Sequence, residues 1–258
     1  MTGPRLVFTA LSGIPRIRPG DDLADVIWQA LARERIILEP DDVIVVTQKI
    51  VSKSEGRHVN LRMVAPSPRA SELAAETGKD ARLLEVILQE SRSLLRTRPG
   101  LIIVEHRLGF VCANAGVDHS NVESPDGSEG EWVLRLPADP DHSADEIRKR
   151  LEVRSGIAPG VLVTDSHGRA WRLGTVGVAV GAAGFAALLD LRGQPDLFDY
   201  KLQATVVGLA DEIAAGASAL MGQAAEGRPV IHVRGLHSGG AHATAANLIR
   251  PLEEDLFR

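Results

Sequence analysis

Cysteine occurs once in this 258-residue chain, as Cys112, which excludes an internal disulfide framework and any cysteine-based zinc site. A lone thiol suits a reducing cytoplasm, and with Val111 and Ala113 beside it Cys112 reads as a buried structural thiol rather than a nucleophile. Excess positive charge is also lacking. The formal net charge is -5, which argues against a nucleic-acid partner. No apolar run reaches the roughly twenty residues of a membrane-spanning helix. The nearest approach, Val176 to Leu189, is interrupted by Gly177, Gly181 and Gly184 and ends at Asp190, so it reads as buried strand and turn. The segment Leu6 to Leu11 is too short for a signal-peptide core, and no export is expected.

Three common motifs are missing as well. No GxxxxGK[ST] is present, since Gly78-Lys79 lacks the upstream glycine and is followed by Asp80. The glycines at 174, 177, 181 and 184 do not make GxGxxG, and the eight histidines form no HExxH. Any nucleotide site here lies outside the P-loop and Rossmann designs.

What is present is an ordinary globular composition, 44% hydrophobic and 24% charged, in a chain long enough to bury a large core. Strands are expected over Arg5 to Ala10, Asp42 to Thr47, Leu101 to Glu105, Gly160 to Thr164 and Pro229 to Val233, all short apolar or β-branched runs bounded by turn residues. Helices are expected over Leu23 to Glu34 behind an Asp N-cap, and over Ala70 to Ser91 with an interruption at Gly78. A further helix runs to about Glu152 behind a Ser143/Glu146 capping box, another covers Leu202 to Met221 and stops at Gly222, and the later part of Ala241 to Arg258 is helical apart from a break at Pro251. Helices and strands do not alternate strictly. The fold class is therefore mixed α+β rather than a regular doubly wound sheet.

Two polar blocks carry the chemistry. Ala113-Asn114-Ala115-Gly116-Val117-Asp118-His119-Ser120-Asn121 and Val163-Thr164-Asp165-Ser166-His167-Gly168-Arg169 each set an Asp and a hydroxyl where an apolar run ends. Oxygen ligands of this kind suit a hard divalent cation, Mg²⁺ or Mn²⁺, shared with substrate phosphates. The same residues also read as turn-formers, with Asp118 ordering its own backbone and Asp165 capping a turn before Gly168. Gly235 to Ala243 is a third glycine-rich stretch that could cradle an anion, and it receives no ligand.

Longer blocks resemble the coenzyme F420 gamma-glutamyl ligase family. They are Gly13-Ile14-Pro15 with Gly20-Asp21-Asp22-Leu23, then Val45-Val46-Thr47-Gln48-Lys49-Ile50-Val51-Ser52-Lys53-Ser54-Glu55-Gly56-Arg57, then Ala113 to Asp118 with Ser120-Asn121. Thr164-Asp165-Ser166, Gly168-Arg169, Trp171-Arg172, Arg192-Gly193, Met221-Gly222, Arg234-Gly235, Arg250-Pro251 and Glu254-Asp255-Leu256-Phe257-Arg258 continue the likeness over nearly the whole chain. The resemblance implies one catalytic unit over residues 1–258, either undivided or built as two interleaved subdomains, with a fold of its own and an intertwined homodimer. It implies GTP-dependent amide formation between L-glutamate and the carboxylate of coenzyme F420-0, then γ-linked addition of further glutamates, in the cytoplasm. Two divalent ions, Mg²⁺ or Mn²⁺, and a response to potassium belong to the same implication. Some relatives carry a fused nitroreductase-like domain, and because this sequence stops at the end of the ligase unit that second activity is expected to be absent.

Position by position, the resemblance puts metal ligands at Asp118, Asp165, Ser166 and Gln223. It puts nucleotide contacts at Gln48, Lys53 and Asn121, with Ser12, Gly13, Ile14 and Pro15 approaching from one loop and Met221, Gly222, Gln223, Ala224, Ala225, Glu226, Gly227 and Arg228 from another. Two positions depart from the family pattern, Gln48 replacing a usual Ser and His119 a frequent acidic residue, while Gln223 falls where relatives have Glu or Gln and offers a neutral oxygen. No residue is assigned as general base. The rival expectations are a metal-dependent nucleotide hydrolase and a GTP-binding regulator without turnover.

Overall fold

The computed structural model describes residues 3–236 and 242–256. In chain order the elements are β1 (Val7–Ala10), α1 (Leu23–Arg33), β2 (Val43–Thr47), α2 (Gln48–Ser54), β3 (His58–Asn60), α3 (Pro68–Thr77), α4 (Ala81–Gln89), β4 (Ser91–Arg98), β5 (Leu101–His106) and β6 (Val111–Ala113). There follow β7 (Trp132–Leu134), α5 (Pro140–Ser155), β8 (Gly160–Arg169), β9 (Arg172–Ala183), β10 (Leu189–Asp190), β11 (Val206–Val207), α6 (Leu209–Met221) and β12 (Val230–Arg234). The mixed α and β class is as expected, with neither a Rossmann nor a P-loop pattern.

A five-stranded sheet in the order β1-β12-β2-β8-β9 forms the centre, and β2 with β8 is the one parallel pair among the described strands. Its alternation sorts the core into two layers. Ile44, Val46, Val161 and Val163 face α1, α2 and α5, where they meet Leu23, Ile27, Leu31, Ile50, Val51, Ile147 and Leu151. Val43, Val45, Leu162, Ile231 and Val233 face α6, meeting Leu209, Ile213, Ala214 and Ala217. Strands covered on both faces read as continuous apolar runs, which is why Asp-Val-Ile-Val-Val-Thr at β2 was legible. Each fully buried side chain such as Ile27 or Ile44 contributes about 1.5–3 kcal/mol by leaving water.

Strand β9 passes close to helices on both faces, and two glycines permit it. A Cβ at Gly177 would lie 2.4 Å from the Ala214 carbonyl oxygen of α6, and one at Gly181 would lie 2.2 Å from that of Pro140 in α5. A second layer, β4-β5-β6 covered by α3 and α4, packs Leu73, Leu84, Ile87, Ile102 and Val104 into its own cluster. Gly78, with φ 71°, ends α3 in the left-handed cap, and Asp80 caps α4 through the Arg82 amide at 2.8 Å, so the expected interruption separates two helices.

Four expectations need correction. The N-cap of α5 is Asp139, which accepts from the His142 amide at 3.0 Å, because Pro140 pre-sets the first helical turn; Ser143 lies inside the helix and donates to Glu55 and to the Asp139 carbonyl. Helix α6 begins at Leu209, since β-branched Val206 and Val207 pair with β10 and Gly208 separates the two elements. Strand β8 does not end at Thr164 but continues to Arg169 against β9. Among its described residues the tail contains only the 3₁₀ turns Ala245–Leu248 and Leu252–Glu254, divided by Pro251. Residues 237–241 of the glycine-rich stretch, and Phe257 with Arg258, lie outside the described residues.

Candidate active site

β2 and β8 run parallel, and where β2 ends, at Thr47 beside Thr164 of the longer β8, lies a cavity of about 730 Å³. Strand β2 passes at Thr47 into α2, whose Lys49 and Lys53 stand one turn apart on a shared face. Both lysines grip the loop after β6. Lys49 Nζ lies 2.8 Å from Asp118 Oδ2 and donates to Ser120 Oγ at 2.9 Å, while Lys53 Nζ donates to the Asn121 carbonyl at 2.8 Å. Burial pulls the Lys53 ammonium below its ordinary value, against the raising influence of Glu123.

Asp118 is held at both its backbone and its side chain. Its amide and carbonyl pair with Leu134 at 2.9 and 2.8 Å, and its Oδ1 accepts from the Ser120 amide at 3.0 Å and hydroxyl at 2.9 Å. The turn-forming reading therefore describes Oδ1, and Oδ2 is left to Lys49 and the cavity. Asn121 has φ 56° and donates from Nδ2 to the Ala224 carbonyl at 3.3 Å, joining this loop to the one after α6.

Asp165 stands within β8, opposite Val178, so the reading that has it cap a turn does not hold. A register shift between Val163 and Thr164 precedes it, the kind of bulge that re-aims side chains at a sheet rim. Its Oδ2 lies 3.0 Å from His167 Nε2. Ser166, the next residue, donates to Gln223 Oε1 at 2.8 Å, and Gln223 Nε2 donates to Ser218 Oγ at 2.9 Å, which fixes the direction of the amide.

Asp118, Asp165, Ser166 and Gln223 thus line one cavity, together with Ile14, Pro15, Lys53, Asn121 and the loop 221–228. Ser12 and Gly13 do not line it. Ser12 bonds to Glu34, and the Gly13 carbonyl accepts from Arg33 at 2.7 Å. Gln48, the first residue of α2, is buried, and its Oε1 accepts from Ser52 at 3.0 Å. His119 is exposed outside the cavity. Lys49, Arg16, Glu123, Thr164 and Ser218 line the cavity without having been singled out from the sequence; of these Lys49 was findable, one helical turn before Lys53.

The donor set at this edge is all oxygen: two carboxylates, a hydroxyl and an amide carbonyl. No group of three Asp, Glu, His or Cys that could cage a metal occurs among the described residues. Mg²⁺ is usually held by one or two carboxylates with substrate phosphates supplying further ligands, and this set fits that requirement. Cys112, behind Asp165, is buried, and burial followed by the Asp165 charge pushes its thiol up to about 12.

Residues 13–235 match the profile of the F420-0:Gamma-glutamyl ligase family. The chain belongs to that family. A Methanopyrus kandleri protein named coenzyme F420:L-glutamate ligase is 46% identical over 249 residues, 94% of each chain. Proteins of the same name from Methanothermobacter thermautotrophicus and Archaeoglobus fulgidus are 43% and 42% identical, covering 96% of this chain and 97% and 94% of their own. The family match begins before α1 and runs through β12, and therefore includes every segment that reaches the cavity.

Proposed function

We propose that this chain is a GTP-dependent ligase that joins L-glutamate to the carboxylate of coenzyme F420-0 and then extends the product through γ-linked glutamates. The observation that carries the reading is the convergence of Asp118, Asp165, Ser166 and Gln223 with Lys49, Lys53 and Asn121 around one cavity, in a chain that matches a relative bearing the ligase name over 94% of that relative's length.

In this reading Lys53 offers an ammonium to phosphate oxygens, Asn121 and the loop 221–228 hold the nucleotide, and the four oxygen donors hold Mg²⁺ or Mn²⁺. When bound, the metals supply charge withdrawal from the terminal phosphate. A carboxylate oxygen of F420-0 attacks the γ-phosphorus of GTP, the bond to the β-phosphate oxygen breaks, and GDP leaves. The glutamate amine then attacks the acyl carbon, phosphate departs, and the nitrogen sheds a proton. Lys49 neutralises Asp118 while it anchors the loop carrying both Asp118 and Asn121.

A homodimer belongs to the same proposal. Trp171 and Leu173 at the β8–β9 tip are 82% and 99% exposed, and Leu197 and Phe198 in the excursion between β10 and β11 are 96% and 88% exposed. So many large apolar side chains in solvent favour a covering copy. Among the described residues no helix is long and apolar enough to cross a membrane, and the substrates proposed are small molecules.

The test is incubation with GTP, Mn²⁺, L-glutamate and F420-0, with products read by mass. A gain of one or more glutamate units that requires GTP and is lost in Asp165→Asn is expected. GTP cleavage without mass gain would point to a hydrolase, and GTP binding without cleavage to a regulator; either would overturn the ligase reading.

A further inference from the structure

His167 belongs to the second polar block, yet nothing above gives it a role. It sits two residues beyond Asp165 on β8, so the two side chains share a face of the strand while Ser166 points to the other. Both are largely enclosed, His167 at 11% and Asp165 at 14% side-chain exposure. The contact is single and directed, from His167 Nε2 to Asp165 Oδ2 at 3.0 Å. A carboxylate can only accept, so Nε2 carries the proton.

The ring is also braced from behind. Phe110 packs against it with centroids 5.3 Å apart at 47°, and Phe110 also stacks on His106 at 5.0 Å, within 4° of parallel. His106 is fully buried, and its Nδ1 accepts from the Leu108 amide at 3.0 Å, which directs its own Nε2 toward Glu90 Oε2 at 3.7 Å. A row of three rings thus runs from the β4-β5-β6 layer to the cavity and ends on one oxygen of Asp165.

We propose that His167 is a positioning residue for Asp165: by holding Oδ2 from a ring locked against Phe110, it fixes the carboxylate plane so that the other oxygen meets a divalent cation in the cavity. The inference rests on the reading of Asp165 as a metal ligand. Carboxylates that bind metals are themselves usually hydrogen-bonded, and losing such an outer partner weakens metal binding by about 10- to 100-fold. A pair that served the fold alone would leave metal affinity unchanged when broken.

The experiment titrates Mn²⁺ into the full-length protein at a fixed GDP concentration, reading free Mn²⁺ by its EPR signal against a protein-free GDP blank. The proteins compared are wild type, Asp165→Asn, His167→Asn and His167→Gln, each with its thermal midpoint recorded. The Asn amide is too short to reach Asp165 Oδ2, whereas the Gln amide nitrogen falls near the place of Nε2. Affinity about 10- to 100-fold weaker in His167→Asn and largely restored in His167→Gln is expected. Wild-type affinity in His167→Asn, with Asp165→Asn impaired, would overturn the positioning role and leave the metal reading standing. Equal weakening in both His167 variants would also overturn it, because the donor would not be what matters. Unchanged affinity in Asp165→Asn, or no binding by wild type, would overturn the metal reading and this inference with it. Should His167→Asn fail to fold, Phe110→Leu removes the ring brace and is expected to weaken Mn²⁺ binding in the same direction; wild-type affinity there would count against the proposal.

Discussion

Replacing Glu90 by Gln should cost this protein a large part of its stability, and the cost should fade as the pH falls. Glu90, just past α4, has a side chain only 4% exposed, surrounded by three guanidiniums. Arg107 Nε lies 2.7 Å from Oε2, and Arg57 Nη2 and Arg135 Nη1 lie 3.1 and 3.3 Å from Oε1. Burial opposes ionisation, but the nearby His106 ring, the hydrogen bond from Arg107 and the charges of Arg107 and Arg57 outweigh it and hold the carboxyl at about 2 rather than 4.5. That difference between folded and unfolded chains corresponds to about 3 kcal/mol. Removing one partner of a buried ion pair costs a similar amount, about 3–5 kcal/mol, since the partners are left uncompensated. For a chain of this size a loss of 3 kcal/mol lowers the melting temperature by roughly 6–12 °C.

The sign follows from the direction of the shift. A carboxyl depressed in the folded state contributes its stability above the unfolded value of 4.5 and loses it as the pH falls toward 2. Urea denaturation of wild type and Glu90→Gln at several pH values should show the full gap at pH 7, about half of it near pH 3, and almost none near pH 2. A gap below about 0.5 kcal/mol at pH 7, the range of an ordinary surface change, would refute the reasoning. So would a gap that does not narrow on acidification.

Other perturbations test the site and its frame. Asp118→Asn should lower ligation at least about 100-fold through loss of metal charge stabilisation, with near-UV circular dichroism unchanged; retention of activity would remove Asp118 from the site. Gly181→Ala forces a Cβ against the Pro140 carbonyl and should cost about 1–3 kcal/mol in urea, whereas Gly168→Ala, whose Cβ would meet nothing within 4 Å, should not. Cys112, with its thiol pushed up to about 12 and buried, should resist a disulfide reagent at pH 8 in the native protein and react on unfolding; rapid native labelling would contradict the burial. Trp171→Ser combined with Leu197→Ser should shift the proposed dimer toward monomer by light scattering. A wild type that is already monomeric at tens of micromolar would count against the proposed assembly.

Elements whose pattern and environment agree were legible in the sequence. Asp22 before Leu23 caps α1 through the Asp25 amide at 3.1 Å, and β2, apolar on both faces, is covered on both. Where a partner overrides the local pattern, the reading fell short. Asp165 to Arg169 is polar enough to resemble a turn, but it stays extended because β9 supplies backbone partners residue by residue as far as Arg172. Leu202 to Gly208 has helical composition, while pairing of Val206 and Val207 with β10 holds it extended. The Glu90 cluster was invisible for a different reason. Arg57, Arg107 and Arg135 stand far from Glu90 in the chain, and no periodicity records that they converge.

The cavity shows why the resemblance located residues that local pattern could not. Five separate segments meet at one sheet edge because β2 ends there beside Thr164 of β8, β12 runs antiparallel to β2 and begins there, and α2 projects its lysines over the loop after β6. In α/β sheets ligands collect outside the carboxyl ends of parallel strands, and a sheet with one parallel pair has one such place. Asp118 and Asp165 approach it from different parts of the fold, Asp118 through its backbone pairing with Leu134 and Asp165 through β8. Two carboxylates brought to one cavity repel unless cations intervene. Lys49 answers that repulsion at Asp118, whereas the Asp165 carboxylate has, among the described residues, only a histidine on one oxygen, so the unmet charge lies on the Asp165 side of the cavity. That imbalance is the physical reason to look for a bound cation there.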